Sequence, residues 1–167
     1  MHALDDYIIK LPWSSDPQER AVEQQVVDHI REAGCHLMGV YPDSDADVEF
    51  VYSVGLWANY GFPEAICLGL PARTGGQLIN SLRDCLRAGE RPDLGQPLTD
   101  FLANDYAIQL EPVQDLSMAY EDYVCWAGWF YQEPVPIVRL CWPDREGRFP
   151  WEPECNEVNR QAQNRLS

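Results

Sequence analysis

Cys85 and Arg91 stand at the C-x5-R spacing of a loop that cradles phosphate around a thiolate, and Trp142-Pro143-Asp144 has the form of the acid loop that works with it in tyrosine phosphatases. The chemistry needs more than the letters. A phosphate cradle follows a strand and aims backbone N–H groups at its ligand from a helix N-terminus, which also holds the cysteine as a thiolate. Cys85 instead falls on the apolar stripe Leu78, Leu82, Cys85, Leu86 of a helical pattern. No histidine immediately precedes it, and the WPD comes after the cysteine rather than before. Metal chemistry fares no better. Asp43, Asp45 and Asp47 alternate like calcium ligands but lack the central glycine and the terminal glutamate of that loop. His36 points to the opposite face of its strand from Cys35, His2 lies at the terminus, and there is no C-x-x-C pair, so no metal site is expected. Neither a G-x-S-x-G elbow nor a G-x-x-x-x-G-K-[ST] loop is present, and no catalytic set is expected.

What remains is aromatic and acidic. Trp57, Tyr60, Phe62, Trp142, Phe149 and Trp151 lie in or beside loops, with Glu64, Asp144 and Glu152 near them. If the loop after Val54 and the turn after Trp142 share one end of a sheet, they form an aromatic patch fringed with carboxylates. Such a patch suits a protein interface, where rings supply buried area and acids select a basic partner. Trp57, Tyr60, Phe62, Glu64, Asp144, Trp151 and Glu152 are therefore the candidate partner-binding residues. The same rings equally suit plugging an end of the core, and Arg145 and Arg148 suit a local ion-pair set with Asp144 and Glu152. The charge balance agrees with a basic partner: 12 basic residues face 27 acidic ones, a net charge of −15, and Lys10 is the only lysine. That field repels nucleic acid and anionic lipid.

The elements that position these residues are organised around 50–70, FVYSVGLWANYGFPEAICLGL. Phe50, Tyr52 and Val54 alternate as in a strand, a glycine- and aromatic-rich crossing follows, and after Pro63 the run from Ala65 to Leu70 reads as a strand covered on both faces. Before it, Asp16 caps a helix that begins at Pro17, with Glu19 at the capping-box position and Gly34 as the left-handed stop. Cys35–Tyr41 and Val48–Val54 form a hairpin across an acidic turn. After it, Thr74 caps a second helix that Gly89 stops. Residues 89–105 read as a surface loop, and Tyr106–Leu110 as a strand. One amphipathic helix runs from Ser117 through Tyr131, and Val135–Trp142 is the last strand. The expectation is one α+β domain over 1–167: a single mixed, mostly antiparallel sheet of about five strands with three helices packed on it. Residues 1–15 and 156–167 read as loosely ordered ends. Six cysteines inside apolar patterns suit buried, reduced thiols. No twenty-residue apolar run and no basic leader segment occur, so the expected location is the cytoplasm.

Two stretches, YSVGLWANYGFPEAICLGL at 52–70 and LCWPDREGRFPWEPE at 140–154, together resemble a bacterial family known only as domain-of-unknown-function family 4262. Order and spacing agree over about 25–154, with Ser53 where the family pattern has threonine. The resemblance implies lineage and brings no reaction, cofactor or catalytic residue. The strand–strand–loop–Pro–strand–helix order is also distantly similar to the split barrel of flavin reductases. There a hydroxyl-bearing strand end and the next loop hold the flavin phosphate, and Tyr52-Ser53 would correspond here; separately, Gly75 and Gly76 open a helix after a strand with Arg73 beside them, a start that can hold a phosphate-bearing ligand.

Two functional expectations follow. The first is an acidic, non-enzymatic binding module of the cytoplasm, in concrete form an immunity protein that neutralises a basic toxin domain. The second is a small ligand-binding or flavin-binding, enzyme-like domain with a pocket near Ser53, Trp57 and Asp144.

Overall fold

The alternation at 50–54 and the apolar run at 64–68 form the middle of one five-stranded sheet, seen in a computed structural model that describes residues 3–101 and 106–166. His2 lies outside those residues. The strands are β1 (His36–Val40), β2 (Phe50–Val54), β3 (Glu64–Leu68), β4 (Gln109–Pro112) and β5 (Ile137–Cys141), in the order β1-β2-β3-β5-β4. β1, β2 and β3 form an antiparallel meander, β3 pairs parallel to β5, and β4 closes antiparallel on β5. The fold is α+β with a mixed sheet, as the sequence implies. Every residue of β2 and β3 is buried, because both faces of the sheet are covered.

The helices are α1 (Ala3–Ile9), α2 (Pro17–Ala33), α3 (Leu56–Tyr60), α4 (Ala72–Arg87), α5 (Leu116–Asp122), α6 (Cys125–Tyr131) and α7 (Glu157–Gln163). Phe50, Tyr52, Val54, Ile66 and Ile137 face a core shared with α1, α2, α5 and α6. Val51, Ala65, Cys67, Val138 and Leu140 face a second core filled by Leu78, Ile79 and Leu82 of α4. None of the described helices is long and apolar enough to cross a membrane.

Local chemistry explains the boundaries. Asp16 accepts from the N–H groups of Gln18 (2.8 Å) and Glu19 (3.1 Å) and so caps α2. The box closes through Ser14, which accepts from the Asp16 N–H and donates to Glu19. The helix expected to run unbroken from Ser117 through Tyr131 breaks at Tyr123 and Val124 into α5 and α6. The break is held by Tyr52, whose buried hydroxyl accepts from the Trp126 N–H in the first turn of α6. Thr74 does not cap α4. The helix starts two residues earlier, and the carboxylate of Glu49, from the segment before β2, accepts from the Ala72 N–H.

The polar tail, read as a loosely ordered end, forms α7 behind an Asn156 cap that accepts from Val158 and Asn159, and Leu166 beyond it is fully buried. At the other end, α1 buries Leu4 and sets the Tyr7 ring edge-on to Tyr131.

Gly75 and Gly76 lie inside α4 against the sheet and cannot form a phosphate cradle at its start. A Cβ at Gly75 would sit 2.7 Å from Val51 Cγ1 and 3.1 Å from Cys67, whereas one at Gly76 would meet its nearest neighbour, Leu37, at 3.5 Å. Gly75→Ala should therefore cost about 1–3 kcal/mol by forcing α4 off the sheet. Gly76→Ala should be neutral or stabilise by up to about 1 kcal/mol through helix propensity. Urea unfolding of the two variants measures the contrast.

His36 on β1 stacks on His29 of α2 with ring centroids 5.1 Å apart and Nδ1 atoms 2.9 Å apart. Burial, with His29 beside it, lowers the His36 pKa from 6.5 to about 4. The folded state thus favours the neutral ring. Its contribution to stability is whole above pH 6.5 and drains as pH falls from 6.5 towards 4. Because the ring is only half-buried, the loss is on the order of 1 kcal/mol. The difference in unfolding midpoint between wild type and His36→Asn, followed from pH 7.5 to 4.5, isolates it.

Candidate functional site

The crossing from β2 into β3 is built on one carboxylate. Gly55, at φ +122°, turns the chain from β2 into α3 where a Cβ would strike Ile30 and the Gly34 carbonyl. Glu64, the first residue of β3, reaches back into that turn. Its Oε1 accepts from the N–H groups of Gly55 (2.8 Å) and Trp57 (3.1 Å) and from the Tyr131 hydroxyl, and its Oε2 accepts from the Ser53 hydroxyl at 2.5 Å. Ser53 in turn accepts from the Ala65 N–H at 2.9 Å. Glu64 is 1% exposed and Ser53 fully buried. No basic side chain is among the partners. Four donors, two of them at the start of α3, take the place of a cation. The knot marks its neighbours: burial and the Glu64 charge both push the Tyr131 hydroxyl pKa strongly upward, and the same two causes raise the Cys35 thiol to about 12.

This geometry corrects two expectations. Ser53 cannot hold a flavin phosphate, because its hydroxyl is spent on Glu64 and Ala65 and has no access to solvent; of that candidate set only Arg73 is exposed. Phe62 and Glu64 cannot touch a partner, since both are buried, while Trp57 and Tyr60 are half-buried against the two cores. Arg91, read first as half of a phosphate loop, instead donates to the carbonyls of Tyr60 (2.8 Å) and Gly61 (3.0 Å) at the end of α3. Burial pushes the Cys85 thiol up, the opposite of an activated thiolate.

The WPD turn lies at the other end of the sheet. Because β3 and β5 run parallel with Glu64 opposite Ile137, the crossing before β3 and the turn after β5 are at opposite ends, and the single aromatic patch does not assemble. Asp144 is a structural acid. Its Oδ1 accepts from Glu146 (3.0 Å) and Arg148 (2.9 Å) and its Oδ2 from Asn156 (2.9 Å). Burial alone would raise its pKa, but those three backbone bonds outweigh it and hold the carboxyl below the usual carboxylate value. Arg148 pairs with Glu154 rather than with Asp144 or Glu152, and Glu152 accepts from the Phe149 N–H. Phe149 and Trp151 stack with centroids 4.8 Å apart, and Trp151 is 48% exposed. Of the seven candidate partner-binding residues Trp151 alone is exposed. Ser53, Trp57 and Asp144 do not share a pocket.

A cleft of about 860 Å³ does open beside the turn, between Trp142–Glu146, Tyr106, Thr74 of α4 and the inner side of α7. Trp142 is fixed by its indole N–H, which donates to the Leu68 carbonyl at 2.9 Å. Gln163 of α7 grips the Trp142 backbone with both ends of its amide, donating to the carbonyl (2.8 Å) and accepting from the N–H (3.0 Å). Sequence reasoning missed Tyr131, Asn159 and Gln163. Asn156, a capping residue ahead of Glu157, was the available signal for α7. Among the described residues no group of three or more His, Cys, Asp or Glu is placed to hold a metal. Asp43, Asp45 and Asp47 are all exposed on the β1–β2 turn.

The fold and these two ends define an α+β domain built on one mixed sheet, knotted at one end by a buried carboxylate and cleft at the other beside an aromatic turn. The chain belongs to the DUF4262 family, a domain of unknown function, whose model matches residues 29–156. No curated protein and no solved structure matches it. The family match takes in the Ser53–Glu64 knot and the WPD turn and stops at the cap of α7.

Glu64→Gln turns an amide N–H₂ onto groups that are themselves donors, and should lower stability by about 2–4 kcal/mol. Tyr131→Phe, which removes one of the four donors, should cost about 1–2 kcal/mol. Denaturant unfolding with an unchanged m-value checks both.

Proposed function

We propose that this protein works by binding rather than by turnover, as an acidic module that captures a basic protein partner. The observation that carries this reading is an uncompensated anionic surface. Eighteen of the 26 described acidic residues are exposed, and only Asp84, Glu154 and Glu157 among those meet a basic side chain at ion-pair distance. The side chains that drew attention as reactive are committed elsewhere: Ser53 and Glu64 to their knot, Asp144 to its turn, Arg91 to the end of α3. An unpaired field of one sign speeds encounter with an oppositely charged surface and rejects anionic ones. Trp151, exposed and stiffened by its stack on Phe149, offers a ring anchor amid Glu152, Glu154 and Glu157. An immunity protein that blocks a basic toxin domain is the concrete form of such a module, and a cytoplasmic location fits it.

The immobilised protein should retain a basic partner at about 50 mM salt and release it by about 500 mM, as screening shortens the reach of the field. Trp151→Ala should weaken that binding about tenfold while leaving the melting temperature nearly unchanged. A partner indifferent to salt, or no basic partner at any salt, defeats the reading.

A further inference from the structure

The two edges of the sheet are finished differently. Beyond β4, the 95–98 segment covers the outer side: Leu98 and Ile108 exchange both backbone bonds at 2.8 Å, and the Gly95 N–H donates to the Leu110 carbonyl at 2.8 Å. β4 also ends in Pro112, which has no N–H to offer. β1, the opposite edge, has nothing paired outside it among the described residues. Its five residues, HLMGV, are all partly exposed and include no proline, lysine or other charged side chain of the kind that blunts an edge.

The register shows which groups are left over. The Gly69 N–H donates to the Glu49 carbonyl, so odd-numbered residues of this strand bond towards β3, and Phe50, Tyr52 and Val54 bond towards β1. Their partners Val40, Met38 and His36 are the inward-bonded residues of β1. The backbone N–H and C=O groups of Leu37 and Gly39 therefore point outward, and none of them is bonded among the described residues. By the same alternation Tyr41, which is 68% exposed, aims its N–H outward just past the strand. Such a row is a template for one more strand.

The surroundings say what kind of strand. On the α4 side a shallow groove of about 330 Å³ runs along the edge, lined by Leu37, Gly39 and Gly76. It suits small side chains, because sheet and helix are close: a Cβ at Gly39 would lie 3.2 Å from that of Ala72. The polar groups of the groove are the Tyr41 hydroxyl, the exposed Arg73 and Gln77, and Asn80, whose Oδ1 accepts from Arg83. Arg73 disfavours a second cation on that side. On the other side β1 meets α2, where His29 stacks on His36 and Glu32 stands exposed one turn further on. Arg31 beside it turns to Asp5 instead. Past Val40 the chain enters the turn that exposes Asp43, Asp45 and Asp47, and Arg165 reaches that turn only to donate to the Ala46 carbonyl. These acids and the overall charge of −15 favour a basic strand and oppose a second copy of this chain.

We propose that the free edge of β1 takes an extended segment of a basic partner as a sixth strand. The backbone of Leu37 and Gly39 bonds to it, its small uncharged side chains alternate into the α4 groove, and its lysines or arginines face Glu32 and the acidic turn. This rests on the reading that the partner is basic and adds where, and in what conformation, the partner is held.

The test is residue-by-residue amide hydrogen exchange of ¹⁵N-labelled protein with three capped heptapeptides, each at about 10 mM in about 50 mM salt. They are Lys-Thr-Lys-Val-Lys-Thr-Lys, the equally charged Lys-Pro-Lys-Pro-Lys-Pro-Lys, which cannot pair as a strand, and Glu-Thr-Glu-Val-Glu-Thr-Glu. The first should slow exchange at Leu37 and Gly39 about tenfold, as a millimolar site under that excess leaves about a tenth of the molecules open. The other two should leave both amides unchanged. Tyr41→Pro, which removes the next outward N–H at an exposed position, should weaken the effect severalfold, as should Asp43→Lys combined with Asp45→Lys. Unchanged protection of the inward amides of Met38 and Val40 reports that each variant is folded. The proposal falls if neither amide slows, if the proline peptide slows them equally, or if both slow with rising protein concentration alone, which marks the edge as a contact between copies. Salt-sensitive retention of a basic protein without slowing at Leu37 and Gly39 overturns the edge and leaves the wider reading standing.

Discussion

The structure hangs on the burial of one carboxylate. Removing an acid from water is costly, and the cost is tolerated only where donors replace the lost hydration. Glu64 gathers those donors from β2, from the start of α3 and from the end of α6, so a single side chain ties three elements together. The sharp Gly55 turn, the short α3 and the inward aim of Tyr131 all follow from its demand. Because its oxygens are fully engaged and sealed from solvent, the same group that organises this end of the sheet is removed from any chemistry there.

The parallel pairing of β3 and β5 then divides the molecule by end. One end is closed by the knot; the other carries Gly69, the WPD turn and α7, where the surface opens into a cleft. The aromatic residues fall on both sides of this divide for different reasons. Phe62 fills the core beneath α4, Trp142 is held as a wall, and Trp151 stands outward on Phe149. The acids divide in the same manner. Three are buried and locally satisfied, while most of the rest stand in solvent without a counter-charge.

Much of this was legible locally. Alternation at 50–54, the Asp16-Pro17 helix start and the Gly34 stop each rest on chemistry within a few residues, and each appears where local rules put it. What escaped depends on partners distant in sequence. The α4 start is displaced because Glu49, twenty-three positions earlier, supplies the cap. The long helix breaks because Tyr52 caps its second half from the sheet. Glu64 looked like a loop acid, and only Ser53, Gly55, Trp57 and Tyr131 together make it a core residue. The polar letters of α7 suggested solvent, yet Gln163 turns inward to complete the backbone of Trp142. A sheet-end assignment rests on which strands run parallel, and no local pattern carries that.

The seam between β3 and β5 also sets an order of assembly. The meander pairs residues close along the chain, such as Val40 with Phe50, whereas the seam joins Glu64 to Ile137 across the whole of α4, β4, α5 and α6. Closing so long a loop costs more chain entropy than pairing the meander, so sequence separation favours the three-stranded meander forming before the docking of the second half. Until that docking delivers Tyr131, the acid at the seam stays wet, and its dehydration is the latch that makes the final step cooperative.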